Sequence, residues 1–198
     1  MRNQHQIMTS SAILVDEMNI MGQLHRIGVQ GINPWNAFYE SLQRYIGYPS
    51  EKHFYGANVP VLTHPERHTK RAGFFRALGR DDILVHEGFT VVDHGRNKFI
   101  EKGVDVMLAM DLAIFAKDGF QDIIVCSGDG DLVPAIKRAQ MYGARVHVVV
   151  SKNIPAAMIT EIADVVIRLE DVISWIEPQH ILWQDRTNTN FFKESVAI

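Results

Sequence analysis

Short, uninterrupted apolar runs rich in β-branched residues recur along the chain, separated by stretches with helical spacing. Ala12-Ile13-Leu14-Val15 contains no polar residue and stops at Asp16. Ile123-Ile124-Val125-Cys126 stops at Ser127, and Val146-His147-Val148-Val149-Val150 stops at Ser151. Runs of this kind are expected of parallel strands covered on both faces. His53-Phe54-Tyr55-Gly56-Ala57, Phe89-Thr90-Val91-Val92 and Val165-Val166-Ile167 bring the expected strands to six. Asn33-Pro34 is expected to open a helix that carries Trp35, Phe38, Tyr39, Leu42 and Ile46 on one face and ends at Gly47. A second helix follows Pro65, a third spans Val104 to Phe115, and a fourth spans Leu132 to Tyr142, with Pro134 in its first turn and Gly143 just past its end. Asp81 to Glu87 is assigned to helix, because Gly88 and the run after it read as the turn and the next strand.

Alternation of this kind predicts an α/β fold: a doubly wound, mostly parallel sheet in a Rossmann-like three-layer sandwich of about six strands. At 198 residues, 46% apolar and 22% charged, the chain suffices for one domain. The expected division is an N-terminal arm over 1–10, the domain over 11–177 and a polar tail over 178–198, read as an appendage. Twenty Lys and Arg against 23 Asp and Glu give a net charge of −3, which excludes a global basic field for polyanions, so any nucleic-acid contact needs a local patch. A lone cysteine, Cys126, excludes an internal disulfide and a Cys-rich zinc site, and reads as a buried strand thiol. The polar start, and the break of the first apolar stretch at Asp16-Glu17, argue against a signal peptide or a membrane span. The expected location is the cytoplasm.

Sheets of this class bind ligands at the carboxyl ends of their strands. There the first strand places Asp16-Glu17-Met18-Asn19, and the strand ending at Cys126 places Ser127-Gly128-Asp129-Gly130-Asp131. Two carboxylates held together favour a proton or a cation. Gly128 and Gly130 strip side chains from both sides of Asp129, so that a phosphate could approach the backbone; the competing reading is a plain turn, with Asp131 as helix N-cap. In the third helix Asp111 falls within the apolar arc of Val104, Met107, Leu108 and Phe115, where it either pairs with a structural group or faces a cation. Asp105, in the first turn, is better placed to point into the cleft. Carboxylate oxygens on Asp16, Asp105, Asp129 and Asp131 suit Mg2+ or Mn2+. His64 and His68 have metal-like spacing, but Pro65 breaks their common face.

Three motifs together resemble the NYN domain, in particular its LabA-like branch within the PIN-like nuclease superfamily. They are Asp16-x-x-Asn19, Lys102-Gly103-Val104-Asp105-Val106 running to Asp111, and Ser127-Gly128-Asp129-Gly130-Asp131-Leu132-x-Pro134; the likeness spans about residues 11–170. It implies a PIN-like fold and a Mg2+- or Mn2+-dependent endoribonuclease, with catalytic acids at Asp16, Asp105 and Asp129, the metal also reached by Asp131, and Asn19, Ser127 and Asp111 as supporting polar groups. Glu17 stands where relatives often carry a small residue, and Leu132 where an aromatic is frequent. LabA-like proteins also make a regulatory RNA- or protein-binding module with little turnover the alternative reading.

Rival chemistries fit less well. Haloacid-dehalogenase-type phosphatases need an acid two residues after the nucleophile, where Met18 stands, and cysteine phosphatases need an arginine where Leu132 stands. No Gly-x-Gly-x-x-Gly opens the first helix, so no nucleotide cofactor is expected. RNA is the expected partner, with a homodimer compatible and a membrane not. The expected RNA-binding residues are Arg67, Lys70, Arg71 and Arg76 on the second helix, with Lys98 and Lys102 ahead of Asp105 and Arg96 beside them. Against this stands a solvated helix face with Phe74 and Phe75 turned into the core, and Met18, Met21 and Trp35 read as packing.

Overall fold

In the computed structural model, which describes residues 10–93 and 98–185, the elements follow in the order β1 (Ser11–Asp16), α1 (Glu17–Arg26), β2 (Val29–Ile32), α2 (Asn36–Ile46), β3 (Glu51–Asn58), α3 (Pro65–Arg80), β4 (Ile83–Asp93), β5 (Lys98–Lys102), α4 (Val104–Lys117), β6 (Asp122–Cys126), α5 (Val133–Met141), β7 (Arg145–Val150), α6 (Ala157–Ile162), β8 (Val165–Arg168), α7 (Leu169–Ser174) and β9 (Ile181–Trp183). Seven strands form a mixed, mostly parallel sheet in the order β5-β4-β3-β1-β6-β7-β8, in which β5 runs antiparallel to its neighbour. β2 and β9 form a separate antiparallel pair.

β1 lies at the centre, between β3 and β6, and all six of its residues are buried. Its alternation divides the core in two. Ile13 and Val15 join Ile20, Phe38, Phe54 and Leu78 on the side of α1, α2 and α3, whereas Ala12 and Leu14 join Tyr55, Leu108, Val125 and Ile136 on the side of α4 and α5. With both faces of the central strands apolar, polar groups are displaced to the strand ends.

All six expected strands form, and three more join them. β5 is a short, charged edge strand, and β2 and β9 lie outside the main sheet, so none has the long apolar run of a central strand. The expected helix over Asp81–Glu87 is strand instead. There β4 pairs in parallel with β3 from Lys52↔Ile83 onward, and this tertiary pairing outweighs the turn-like appearance of Gly88. The helix expected from Asn33-Pro34 begins at Asn36 without a side-chain cap, and the Asn33 N–H donates to the His180 carbonyl. A 3-10 turn at Gly130–Leu132 precedes α5. The segment after Pro178 is not an appendage along its described part, because β9 pairs with β2. Arg96 lies outside the described residues, as do 1–9 and 186–198. No helix among the described residues is long and apolar enough to cross a membrane.

Gly88 sets the path of the chain into α4. A Cβ at that position would lie 2.6 Å from Val104 Cγ2 and 2.8 Å from the Lys102 carbonyl oxygen, so the turn between β5 and α4 rests on bare backbone. Gly88→Ala is therefore expected to destabilise the fold by about 1–3 kcal/mol, measured by urea unfolding. An unchanged midpoint would contradict this close packing.

Candidate functional site

Asp16 terminates β1 and caps α1: its Oδ1 accepts from the Asn19 N–H at 3.1 Å. Its Oδ2 accepts from Ser127 Oγ at 2.8 Å. Ser127 Oγ in turn accepts from the Asp129 N–H at 3.2 Å, and Asp129 Oδ1 from the Asp131 N–H at 2.9 Å. Asn19 secures the same loop from the other side, accepting from the Gly128 N–H at 2.8 Å and from Gln23 Nε2 at 2.7 Å. The ends of β1 and β6 are thus joined by side chains, and the expected residues Asp16, Asn19, Ser127 and Asp129 belong to one network.

Two expectations for the loop are reversed. The capping side chain is that of Asp129, whereas Asp131 is exposed. Gly128 serves protein packing, since a Cβ there would lie 2.5 Å from Ile154 Cδ1, whereas a Cβ on Gly130 would meet Met158 Sδ at 3.4 Å, an ordinary contact.

Electrostatics tie the remaining acids to Asp16. Burial pushes the Asp16 carboxyl up to about 6; hydrogen bonds from Asn19 and Ser127 oppose the shift, while the charges of Asp105 and Asp129 add to it. Asp105, exposed in the first turn of α4, is also raised, by partial burial and then by Asp129 and Asp131. Glu101, absent from the acids that the sequence motifs single out, is pushed up to about 7 by burial and then by Asp16, Glu17 and Asp105, against the lowering effect of the Ala57 N–H. Glu101 pairs with Thr90 across β5, two positions beyond Gly88, on the face of the sheet that α4 covers. Alternation within Lys98–Lys102 is the signal that reveals it once that charged segment is recognised as strand.

The opposite edge provides a contrast. Asp122, at the start of β6, would also be raised by burial, but Arg145 Nε at 2.6 Å, the Tyr48 hydroxyl and His147 Nε2 at 2.7 Å hold it at about 2. That acid is neutralised within the fold, whereas Asp16, Glu101 and Asp105 are left repelling one another. The donor set at the carboxyl edge, oxygen only and uncompensated, is chemically suited to a hard divalent cation. It is not a closed ligand shell, because no three His, Cys, Asp or Glu among the described residues stand close enough to hold a metal ion.

Other expected residues have structural partners. Asp111 accepts from the Tyr55 hydroxyl at 2.9 Å and lies 3.2 Å from His86 Nδ1, with His53 Nδ1 a further 2.9 Å from His86 Nε2, so its half-buried position in the apolar arc is explained by pairing within the fold. His64 Nδ1 contacts Thr63 Oγ1 and His68 Nδ1 contacts the Val59 carbonyl, so these histidines form no pair. Cys126 is buried, as are Phe75 and Trp35, and Phe74 and Met21 pack against the core. Met18, expected to pack, is 54% exposed.

The basic residues divide in the same way. Arg67, Lys70, Arg76 and Lys102 are exposed, and the side chain of Lys98 lies outside the described residues. Arg71 is not a solvated residue: its Nη1 donates to Glu17 Oε1 at 2.5 Å, its Nη2 to Glu17 Oε2, and its Nε to the Ala57 carbonyl at 3.0 Å. A cavity of about 580 Å³ opens away from the acids, at the starts of β3 and β4.

The NYN domain family matches residues 11–170. Among solved structures, a protein of unknown function from Vibrio parahaemolyticus aligns with a TM-score of 0.62 at 19% identity, over 92% of this chain and all of that one. A PLP-bound C-S lyase from Staphylococcus hominis aligns with a TM-score of only 0.25 at 10% identity, over 86% of this chain and 54% of its own. No curated protein matches the chain.

Asp16 binds a proton more tightly in the folded chain than in the unfolded one, so it detracts from stability increasingly as pH rises from about 4 to about 6 and fully above that. Asp16→Asn retains an oxygen to accept from Asn19 and removes the charge. The variant is expected to exceed the native protein in stability by about 1–2 kcal/mol at pH 7.5, with the difference shrinking toward pH 4, as measured by thermal melts without divalent ions. A pH-independent difference would exclude a raised Asp16.

Proposed function

The chain belongs to the NYN domain family, and from that premise we propose that it is a metal-dependent endoribonuclease, of the LabA-like branch, that hydrolyses RNA phosphodiesters at the carboxyl edge of the sheet. The observation that carries this reading is the mutual repulsion of Asp16, Glu101 and Asp105, contributed by β1, β5 and α4. Asp122 is paired within the fold, whereas no ion pair among the described residues reaches Asp16, Glu101 or Asp105, and acids left so at a strand-end cleft are characteristic of functional sites. Asp16, Asp105 and Asp129 would hold Mg2+ or Mn2+, with Asp131 at the rim. Bound there, the metal supplies an activated water and neutralises charge on the leaving oxygen.

The chain's own residues have distinct tasks. Ser127 and Asn19 fix Asp16 and the Asp129 loop in register, so the two acids are held in place before substrate arrives. Asp105 is exposed in the first turn of α4, where solvent and substrate could reach it. Arg67 and Lys70 lie in the N-terminal half of α3, the half whose Arg71 reaches the end of β1, and are placed to meet phosphates leading to the acids. Arg76 is about 7 Å farther along the helix axis. The alternative, a binding module without turnover, is favoured by the absence of three closely grouped ligands among the described residues.

Two measurements test the proposal. Cleavage of single-stranded RNA in Mg2+ or Mn2+ is expected to fall by at least about a hundredfold in Asp129→Asn. Equal activity in both proteins defeats the catalytic assignment, and metal-dependent RNA binding with no cleavage by the native protein supports the module. Replacing Arg67 and Lys70 with Ala is expected to reduce the slope of log affinity against log salt by about 0.7 for each phosphate no longer neutralised. Stability should change by no more than about 0.5 kcal/mol. An unaltered slope would mean that RNA takes another path.

A further inference from the structure

A cation does reach the acidic edge, and a carboxylate of the same chain already occupies it. Glu17 follows Asp16 directly and is 9% exposed, and both of its oxygens accept from the fork of Arg71. The pair lies flat on the end of β3, where a Cβ on Gly56 would collide with Glu17 Oε2 and lie 2.9 Å from Arg71 Nη2.

We propose that Arg71 is a phosphate-binding residue of this site and that Glu17 is its resting partner, which a backbone phosphate of single-stranded RNA displaces. The inference rests on the RNA reading above. Arg71 is held in place by more than Glu17. Its Nε donates to the Ala57 carbonyl at 3.0 Å, and its guanidinium carbon stands 4.5 Å from the centroid of Phe75 and 5.3 Å from that of Phe74. These contacts fix the plane of the guanidinium and leave Nη1 and Nη2 directed at the end of β1 whether or not Glu17 is there.

A phosphodiester offers two non-bridging oxygens that accept from this fork as a carboxylate does, so the exchange orphans no donor. The Arg71 side chain retains 25% of its exposure and the Glu17 side chain only 12%, so an incoming phosphate meets the arginine first. Such an exchange would place a positive charge against the substrate within a cluster that would otherwise repel it.

The test uses the full chain and a ten-nucleotide single-stranded RNA with phosphorothioate linkages, followed by fluorescence anisotropy in EDTA. Glu17→Gln, which keeps the shape and removes the competing charge, is expected to bind about three- to tenfold more tightly than the native protein. Adding Arg71→Met should abolish the gain. In the native protein the Arg71 Nε–H resonance should shift and saturate along the same binding curve, a readout that stands even if Glu17→Gln fails to fold. The inference is overturned if that resonance stays still while RNA binds, if a folded Glu17→Gln binds no more tightly, or if the double variant keeps the gain. RNA that binds and is cleaved with any of those results removes this inference alone, whereas no affinity of the native protein for RNA in EDTA and in Mg2+ or Mn2+ alike removes the proposed function with it.

Discussion

Enclosure of β1 is the constraint on which the rest of the molecule depends. With β3 and β6 on its edges and a helical layer on each face, the strand holds polar side chains only at its two ends, Ser11 and Asp16. Burial is bearable there because the run is apolar to Val15, and Asp16 is the first residue whose backbone can turn out of the sheet. The same enclosure affects the neighbouring strands, so the chemistry of three or four distant segments is concentrated along one line. Both edges of the sheet receive buried acid: at the amino edge Arg145 meets Asp122, and at the carboxyl edge Arg71 meets Glu17 and leaves Asp16 to hydroxyl and amide donors.

The carboxyl edge is assembled from parts of unequal support. Asp16 and the Asp129 loop are held by side-chain hydrogen bonds between the two central strands. Glu101 and Asp105 come instead from the β5–α4 turn, on the outermost strand of that side of the sheet. One half of the site is therefore fixed by the core, and the other by how an edge strand and a glycine-bedded turn lie upon it. Repulsion between the halves opposes their approach, consistent with a ligand set that is near but not closed.

Much of this is legible in the residues. Six of the strands announce themselves by short runs rich in apolar residues, and Asp16 and Ser127 by being the first polar residues after two of them. Local pattern does not reveal what pairing decides. Ile83–Glu87 looks ambiguous alone and becomes strand because β3 offers it a parallel edge. Glu101 is hidden in a five-residue charged segment whose extended form depends on β4, and Arg71 looks like its neighbours Arg67 and Lys70 because nothing in α3 discloses that Glu17, 54 residues earlier, is waiting for it. Asp111 stands out of place on its helix, but its partners Tyr55 and His86 lie on strands whose alignment with α4 no local pattern specifies.

The bond from Ser127 to Asp16 spans 111 residues and has a consequence for biosynthesis. A growing chain that has not yet reached β6 leaves β1 with one bare edge and Asp16 with no Ser127 hydroxyl to restrain it. The Asn19 amide likewise lacks the Gly128 N–H. Contacts of such sequence separation form late, after most of the loop-closure entropy has been overcome. The acidic edge therefore comes into being only near the completion of the domain, and a nascent or truncated product ending before that point would carry the first acid without the geometry that makes it useful.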